Sequence, residues 1–186
     1  MRGVNVISEF DYLKHLSDGH PKNEIIQHIA EKYGNDLWNY AFSIVGKPEI
    51  ADDILQDVFI KILEKLQTFR GGSSMKTWLL SITRNTAYNS RSKWLIRKTF
   101  SIDKWSDQHS YPSAETEAIE QIEMNNAWKI VMKLPVKYRE VLVLFVHHDM
   151  SQKEIAQTIG VPEGTIKSRL HYARLKFSKH YYRGVE

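Results

Sequence analysis

The 186-residue chain carries 26 Lys and Arg against 22 Asp and Glu, a formal net charge of +4, and contains no cysteine. That composition excludes disulfides and thiolate metal sites and suits a reducing compartment. No apolar run approaches the ~20 residues of a membrane span, and the polar start Met1 to Glu9 lacks the apolar core of a signal peptide, so a cytoplasmic protein without direct membrane insertion is expected.

The charge is unevenly placed. From Gly71 to Lys98 there is no carboxylate, while Lys76, Arg84, Arg91, Lys93, Arg97 and Lys98 are basic; Thr165 to Arg183 repeats the pattern with Lys167, Arg169, Arg174, Lys176, Lys179 and Arg183. From Thr99 to Glu123, Asp103, Asp107, Glu115, Glu117, Glu120 and Glu123 oppose only Lys104. Two cationic surfaces joined by an acidic stretch suit a polyanion gripped at two places.

In chain order, residues 1–24 read as an appendage with a short candidate helix around Phe10, Leu13 and Leu16, closed by Asp18-Gly19 and Pro21. Apolar residues then recur at helical spacing through Ile25, Ile29, Tyr33, Leu37, Tyr40 and Ile44, and Gly46-Lys47-Pro48 ends that helix. Glu49, Asp52 and Asp53 fill the first turn of a second helix, where carboxylates favour the positive end of the helix dipole, and Leu55, Val58, Phe59, Ile62 and Leu66 form its apolar stripe. After the loop Gly71-Gly72-Ser73-Ser74, a third helix is marked by Trp78, Leu79, Ile82 and Tyr88, with Trp78 assigned to the core by its spacing to Ile82. Residues 25–98 are thus expected to form one domain.

Residues 99–118 read as a flexible acidic linker and 119–186 as a second domain, giving an all-α chain of two small helical domains. Ser151 with Glu154 three residues on is a capping-box pattern, followed by the apolar face Ile155, Ala156 and Ile159, the turn residue Gly160, and a new helix opened by Pro162 and Glu163 with Ile166 and Leu170 buried. This is a helix-turn-helix layout, whose second helix enters the major groove of DNA. Thr165, Lys167, Ser168, Arg169, His171, Tyr172 and Arg174 are its candidate contacts to phosphates and base edges. His147-His148-Asp149 is read as a turn without a metal, because adjacent histidines diverge on a helix and no third ligand stands at a helical interval. No cofactor and no small-molecule substrate are expected.

Three segments carry a family resemblance. Ala51-Asp52-Asp53-Ile54-Leu55-Gln56-Asp57-Val58-Phe59 resembles the polymerase-binding helix of extracytoplasmic-function sigma factors. Phe69-Arg70-Gly71, Thr77-Trp78-Leu79, Asn85-Thr86 and Asn89 resemble their −10-reading segment. Leu134-Pro135, Arg139-Glu140-Val141-Leu142, Ser151, Glu154-Ile155-Ala156, Gly160 and Gly164 to Leu170 resemble their −35-binding domain.

The resemblance implies that Asp53, Gln56 and Asp57, which share a helix face at i, i+3 and i+4, dock on the clamp helices of the polymerase largest subunit, with the flap as a further contact. It implies a −10 site drawn from Arg70, Ser73, Ser74, Lys76, Arg84, Asn85, Tyr88 and Asn89, the loop forming a pocket for an extruded base. It also implies an anti-sigma partner. Gly72 and Ser73 depart from the residues many relatives carry in that loop, so base preference does not carry over. The chain is therefore read as a sigma factor and not an enzyme. A conventional helix-turn-helix regulator is the competing reading. A nucleic-acid enzyme using Asp52, Asp53 and Asp57 lacks an accompanying base or nucleophile.

Overall fold

The structure, a computed structural model, describes residues 22–100 and 126–183, and every regular element among them is helical. The expected helix around Phe10 and the acidic segment beyond Phe100 lie outside the described residues.

Helix α1 (Lys22–Val45) buries Ile25, Ile29, Tyr33, Leu37, Tyr40 and Ile44 on one stripe, as the spacing requires. It ends where Gly46 takes φ +75, a left-handed conformation that glycine adopts without Cβ strain, with its N–H donating to the Phe42 carbonyl at 2.8 Å. Helix α2 (Pro48–Lys65) starts on a proline, whose missing N–H costs nothing at that position, and buries Ala51, Ile54, Val58 and Ile62. A 3-10 turn (Leu66–Thr68) leads to the loop before α3 (Met75–Phe100), which runs two residues past the expected start of the linker. On α3 the hydroxyls of Ser81, Thr83 and Thr86 donate to the carbonyls four residues back, so these polar groups are buried or half-buried already satisfied. The three helices pack pairwise around one core.

The second domain comprises α4 (Asn126–Met132), α5 (Val136–Val146), α6 (Gln152–Ile159) and α7 (Glu163–Arg183). Ser151 caps α6 by a complete capping box: its side chain accepts from the Glu154 N–H, and the Glu154 carboxylate accepts from the Ser151 N–H at 2.9 Å. Gly160 closes α6 at φ +75, with its own N–H and that of Val161 both donating to the Ala156 carbonyl. Pro162 stands just before α7 as acceptor for Thr165 and Ile166, one step outside the helix it was expected to open. Ile166, Leu170 and Ala173 bury the inner face of α7.

The two domains pack against each other, α1 on α5 and α3 on α6. Glu140, on α5 and fully buried, is the centre of that interface. Its carboxylate accepts from the Arg84 Nε at 2.7 Å, the Tyr88 hydroxyl at 3.0 Å and the Tyr40 hydroxyl at 3.1 Å. Three donors from two helices of the first domain thus offset the desolvation of one carboxylate. Arg139 crosses the same boundary: its guanidinium donates to the Met132 carbonyl at 2.8 Å and to the Ile44 carbonyl at 3.3 Å.

Candidate nucleic-acid interface

Helix α7 places the candidate −35 set as its spacing predicts. With Ile166, Leu170 and Ala173 turned inward, Lys167, Ser168, His171, Tyr172 and Arg174 are exposed, and Thr165 and Arg169 are half-buried at the edge of that face. The capping box and the left-handed Gly160 fix where α7 begins relative to α6, so a rigid turn presents the side chains. Tyr172 is 52% exposed, and its ring lies 6.2 Å from that of Tyr138. Ser168 donates to the Thr165 carbonyl, leaving its oxygen as an acceptor toward solvent. Arg174 differs from the rest of the set, because its guanidinium sits 5.1 Å from the centre of the Phe145 ring and lines an apolar groove with Trp128, Val146 and Phe177. Its position suits a backbone contact better than a base edge.

The candidate −10 set divides into three groups. Arg70 and Ser73 line a concavity of about 440 Å³ with Phe69, Trp78, Ser81 and Gln157, in which the Phe69 and Trp78 rings stand 5.1 Å apart. Trp78 is half-buried against the core while still lining this space, so it serves packing and a cavity wall together. An aromatic-walled pocket rimmed by a cation and a hydroxyl is chemically suited to one unstacked base. Asn85 and Asn89 are exposed at i and i+4 on one face of α3.

The third group is turned toward the second domain. Arg84 and Tyr88 hold Glu140, with the guanidinium also 4.6 Å from the centre of the Tyr88 ring. Burial, and after it the Glu140 carboxylate, pushes the Tyr88 phenol up to about 12, so it remains a donor at neutral pH. Lys76 pairs with Asp36 of α1 at 3.2 Å and donates to the backbone carbonyl of His148 at 2.9 Å. Sequence spacing merged Arg84 with Asn85 and Tyr88 with Asn89. One residue on a helix is a ~100° turn, and the fold assigns the two stripes to different surroundings. Ser74 is likewise spoken for: it caps α3 by accepting from the Thr77 N–H at 3.1 Å.

Asp53, Gln56 and Asp57 are exposed together on α2, opposite the buried Ile54, Val58 and Ile62. Asp52 stands apart from them, accepting from the Trp38 indole N–H at 2.7 Å. Glu140 and Arg139 were legible in the sequence only as part of a motif. Their burial between domains has no local signature, although charged residues inside an apolar helix are a signal of pairing.

Comparison with known proteins bears on the two domains as a whole. The model described as Sigma-70 region 2 matches residues 29–94, and that described as Sigma-70, region 4, matches residues 125–177. The RNA polymerase sigma factor YlaC of Bacillus subtilis is 29% identical over 83% of this chain and 90% of its own length. The sigma factor SigZ of the same organism is 30% identical over 83% and 85%. The ECF sigma factor EcfG of Rhodopseudomonas palustris is 30% identical over 75% of each chain. Among solved structures, the sigma factor RpoE in complex with the anti-sigma factor NepR from Bartonella quintana superposes with a TM-score of 0.67 at 25% identity, covering 82% of this chain and 94% of that one.

Proposed function

Because the chain belongs to the extracytoplasmic-function sigma factors of bacterial RNA polymerase, we propose that its surfaces divide the work of promoter recognition as follows. Residues 25–98 form the domain that attaches to core polymerase and reads the −10 element, and residues 119–186 form the domain that reads the −35 element. Asp53, Gln56 and Asp57 meet the clamp helices as an exposed acidic ridge with one amide, suited to a basic partner helix. Asn85 and Asn89 meet the −10 strand as it opens, and Arg70, Ser73 and Trp78 wall the pocket for the extruded base. The outward face of α7 enters the major groove at −35.

The observation that carries this reading is the exposed cationic face of α7 behind a fully formed capping box and turn, in a chain whose other domain bears an acidic ridge rather than a ligand-binding module. The factor directs polymerase and performs no chemistry of its own. No described helix is long and apolar enough to cross a membrane, which suits work in the cytoplasm. An anti-sigma partner fits the groove of about 410 Å³ lined by Trp128, Leu142, Val146 and Phe177, where Val146 is 69% exposed.

Transcription reconstituted with core polymerase and this protein alone tests the assignment. Promoter-specific initiation is expected, and Asp57→Lys should abolish co-purification with core while leaving −35 duplex binding intact. Activity only as an accessory to another sigma factor would return the chain to the conventional regulators.

A further inference from the structure

The end of α5 and the middle of α1 bring together two histidines and a carboxylate from different domains. His147 closes α5 and His148 follows in the turn, and the candidate ligand atoms of Asp36, His147 and His148 all lie within 4.8 Å of one another. The two imidazoles do not diverge as they would inside a helix, because the backbone leaves the helix between them. His148 N–H and His147 N–H both donate to the Val143 carbonyl, Asp149 follows at φ +53, and the ring centroids are 4.9 Å apart.

His148 is only 2% exposed, yet neither of its ring nitrogens has a hydrogen-bond partner. Its Nδ1 stands 3.7 Å from Oδ1 of Asp36, too far for a hydrogen bond. Two ligands each about 2.0–2.1 Å from a tetrahedral ion stand about 3.4 Å apart, so the gap is close to the separation an intervening cation requires.

We propose that Asp36, His147 and His148 form an interdomain site for a divalent transition-metal ion of the zinc, cobalt or nickel class. Two imidazoles and one carboxylate are a ligand set these ions accept, with water completing the shell, whereas calcium and magnesium call for oxygen donors throughout. The Lys76 ammonium, 3.2 Å from the other Asp36 oxygen, already brings positive charge to this corner. The ion competes with that charge, so Lys76 limits the affinity. Since the ligands come from both domains, the ion binds only when they are packed together. At a hundred times its Kd it multiplies the ratio of packed to separated forms about a hundredfold. That packing is the one that holds Arg84 and Tyr88 on Glu140, so the metal and the placement of these two side chains are linked.

The test uses the full chain, stripped of metal with chelator, titrated with Zn2+ in a calorimeter and with Co2+ in a spectrophotometer. One ion per chain is expected, with the visible bands of tetrahedral cobalt. His148→Gln and Asp36→Asn should each weaken Zn2+ binding by more than about tenfold, and Lys76→Met should tighten it. Asp36 is half-buried, so Asp36→Asn leaves a folded chain, verified by an unchanged helical dichroism signal, even if His148→Gln does not. Absence of stoichiometric binding overturns the proposal. So does wild-type affinity in Asp36→Asn, which would leave histidines alone as ligands and no bridge between domains. Neither result bears on promoter recognition, which the reconstituted transcription assay reads separately.

Discussion

Helices α3 and α7 are both cationic, both long and both assigned to DNA, yet one has its reading face largely free and the other has half of its face engaged by protein. On α7, Lys167, Ser168, His171 and Tyr172 are all exposed. On α3, Arg84 and Tyr88 hold Glu140 and Lys76 reaches His148, while Asn85 and Asn89 one step round the helix stay exposed. Cationic composition makes both helices candidate nucleic-acid surfaces. It does not say which cations are available, because a guanidinium that suits a phosphate suits a buried carboxylate equally well. In the packed arrangement, therefore, the proposed −35 surface is exposed and the proposed −10 surface is only partly so.

The largest expected effect comes from removing the group that makes the two helices differ. Glu140→Ala leaves Arg84, Tyr88 and Tyr40 without an acceptor in a buried interface, a loss on the order of 3 kcal/mol. The domains escape that loss by separating and rehydrating, so each should stay folded while they part. The chain has no native cysteine, so dyes placed through Gln67→Cys and Lys153→Cys report the distance between them by energy transfer. An unchanged distance in Glu140→Ala would mean that other contacts hold the interface and that α3 is not kept by this carboxylate.

The next effect concerns what α7 does with its free face. Arg169→Ala should lose ~1 to 3 kcal/mol of discrimination between a matched −35 duplex and one altered at a single base pair. Lys179→Ala should weaken all duplexes alike and lower the salt slope by about one. Affinities across a salt series decide between the two. Equal losses on every duplex for Arg169→Ala would make it a phosphate contact and leave Lys167, Ser168, His171 and Tyr172 to read bases.

Smaller effects test how the turn before α7 is built. Gly160→Ala should destabilise the protein by about 1 to 2 kcal/mol, since an added Cβ meets nothing within 4 Å and the cost is purely the left-handed backbone. Gly164→Ala, in the first turn of α7 and equally unobstructed, should raise stability by about 0.4 to 1 kcal/mol. Denaturant midpoints of the two variants moving in the same direction would contradict this account of the turn. Ser151→Ala should cost about 1 kcal/mol by the same measurement.

The smallest change is expected on the exposed stripe of α3. Asn85→Ala with Asn89→Ala should leave stability and duplex affinity nearly unchanged, because both side chains face solvent, while reducing permanganate-detected strand opening in the reconstituted complex. Full opening would reduce these amides to solvent-facing groups and shift −10 reading to the pocket of Arg70, Ser73 and Trp78.

The sequence by itself determined what depends on neighbours within a turn or two. The 3.6-residue recurrence from Ile25 to Ile44 defined α1, the Ser151 and Glu154 pair defined the start of α6, and Ile166 with Leu170 determined which side of α7 faces outward. Helix periodicity and capping are local physics, so they survive the loss of all tertiary information. Only the tertiary structure decided how Arg84 and Asn85 are divided and that Glu140 is the centre of an interface. It also brought Asp36 to His147 and His148, where the search for a third ligand along one helix had no reason to look. Those pairings join residues of different domains that lie far apart along the chain. Their energies come from desolvation and charge complementarity, which depend on where the backbone has already been placed and leave no periodic trace in the order of residues.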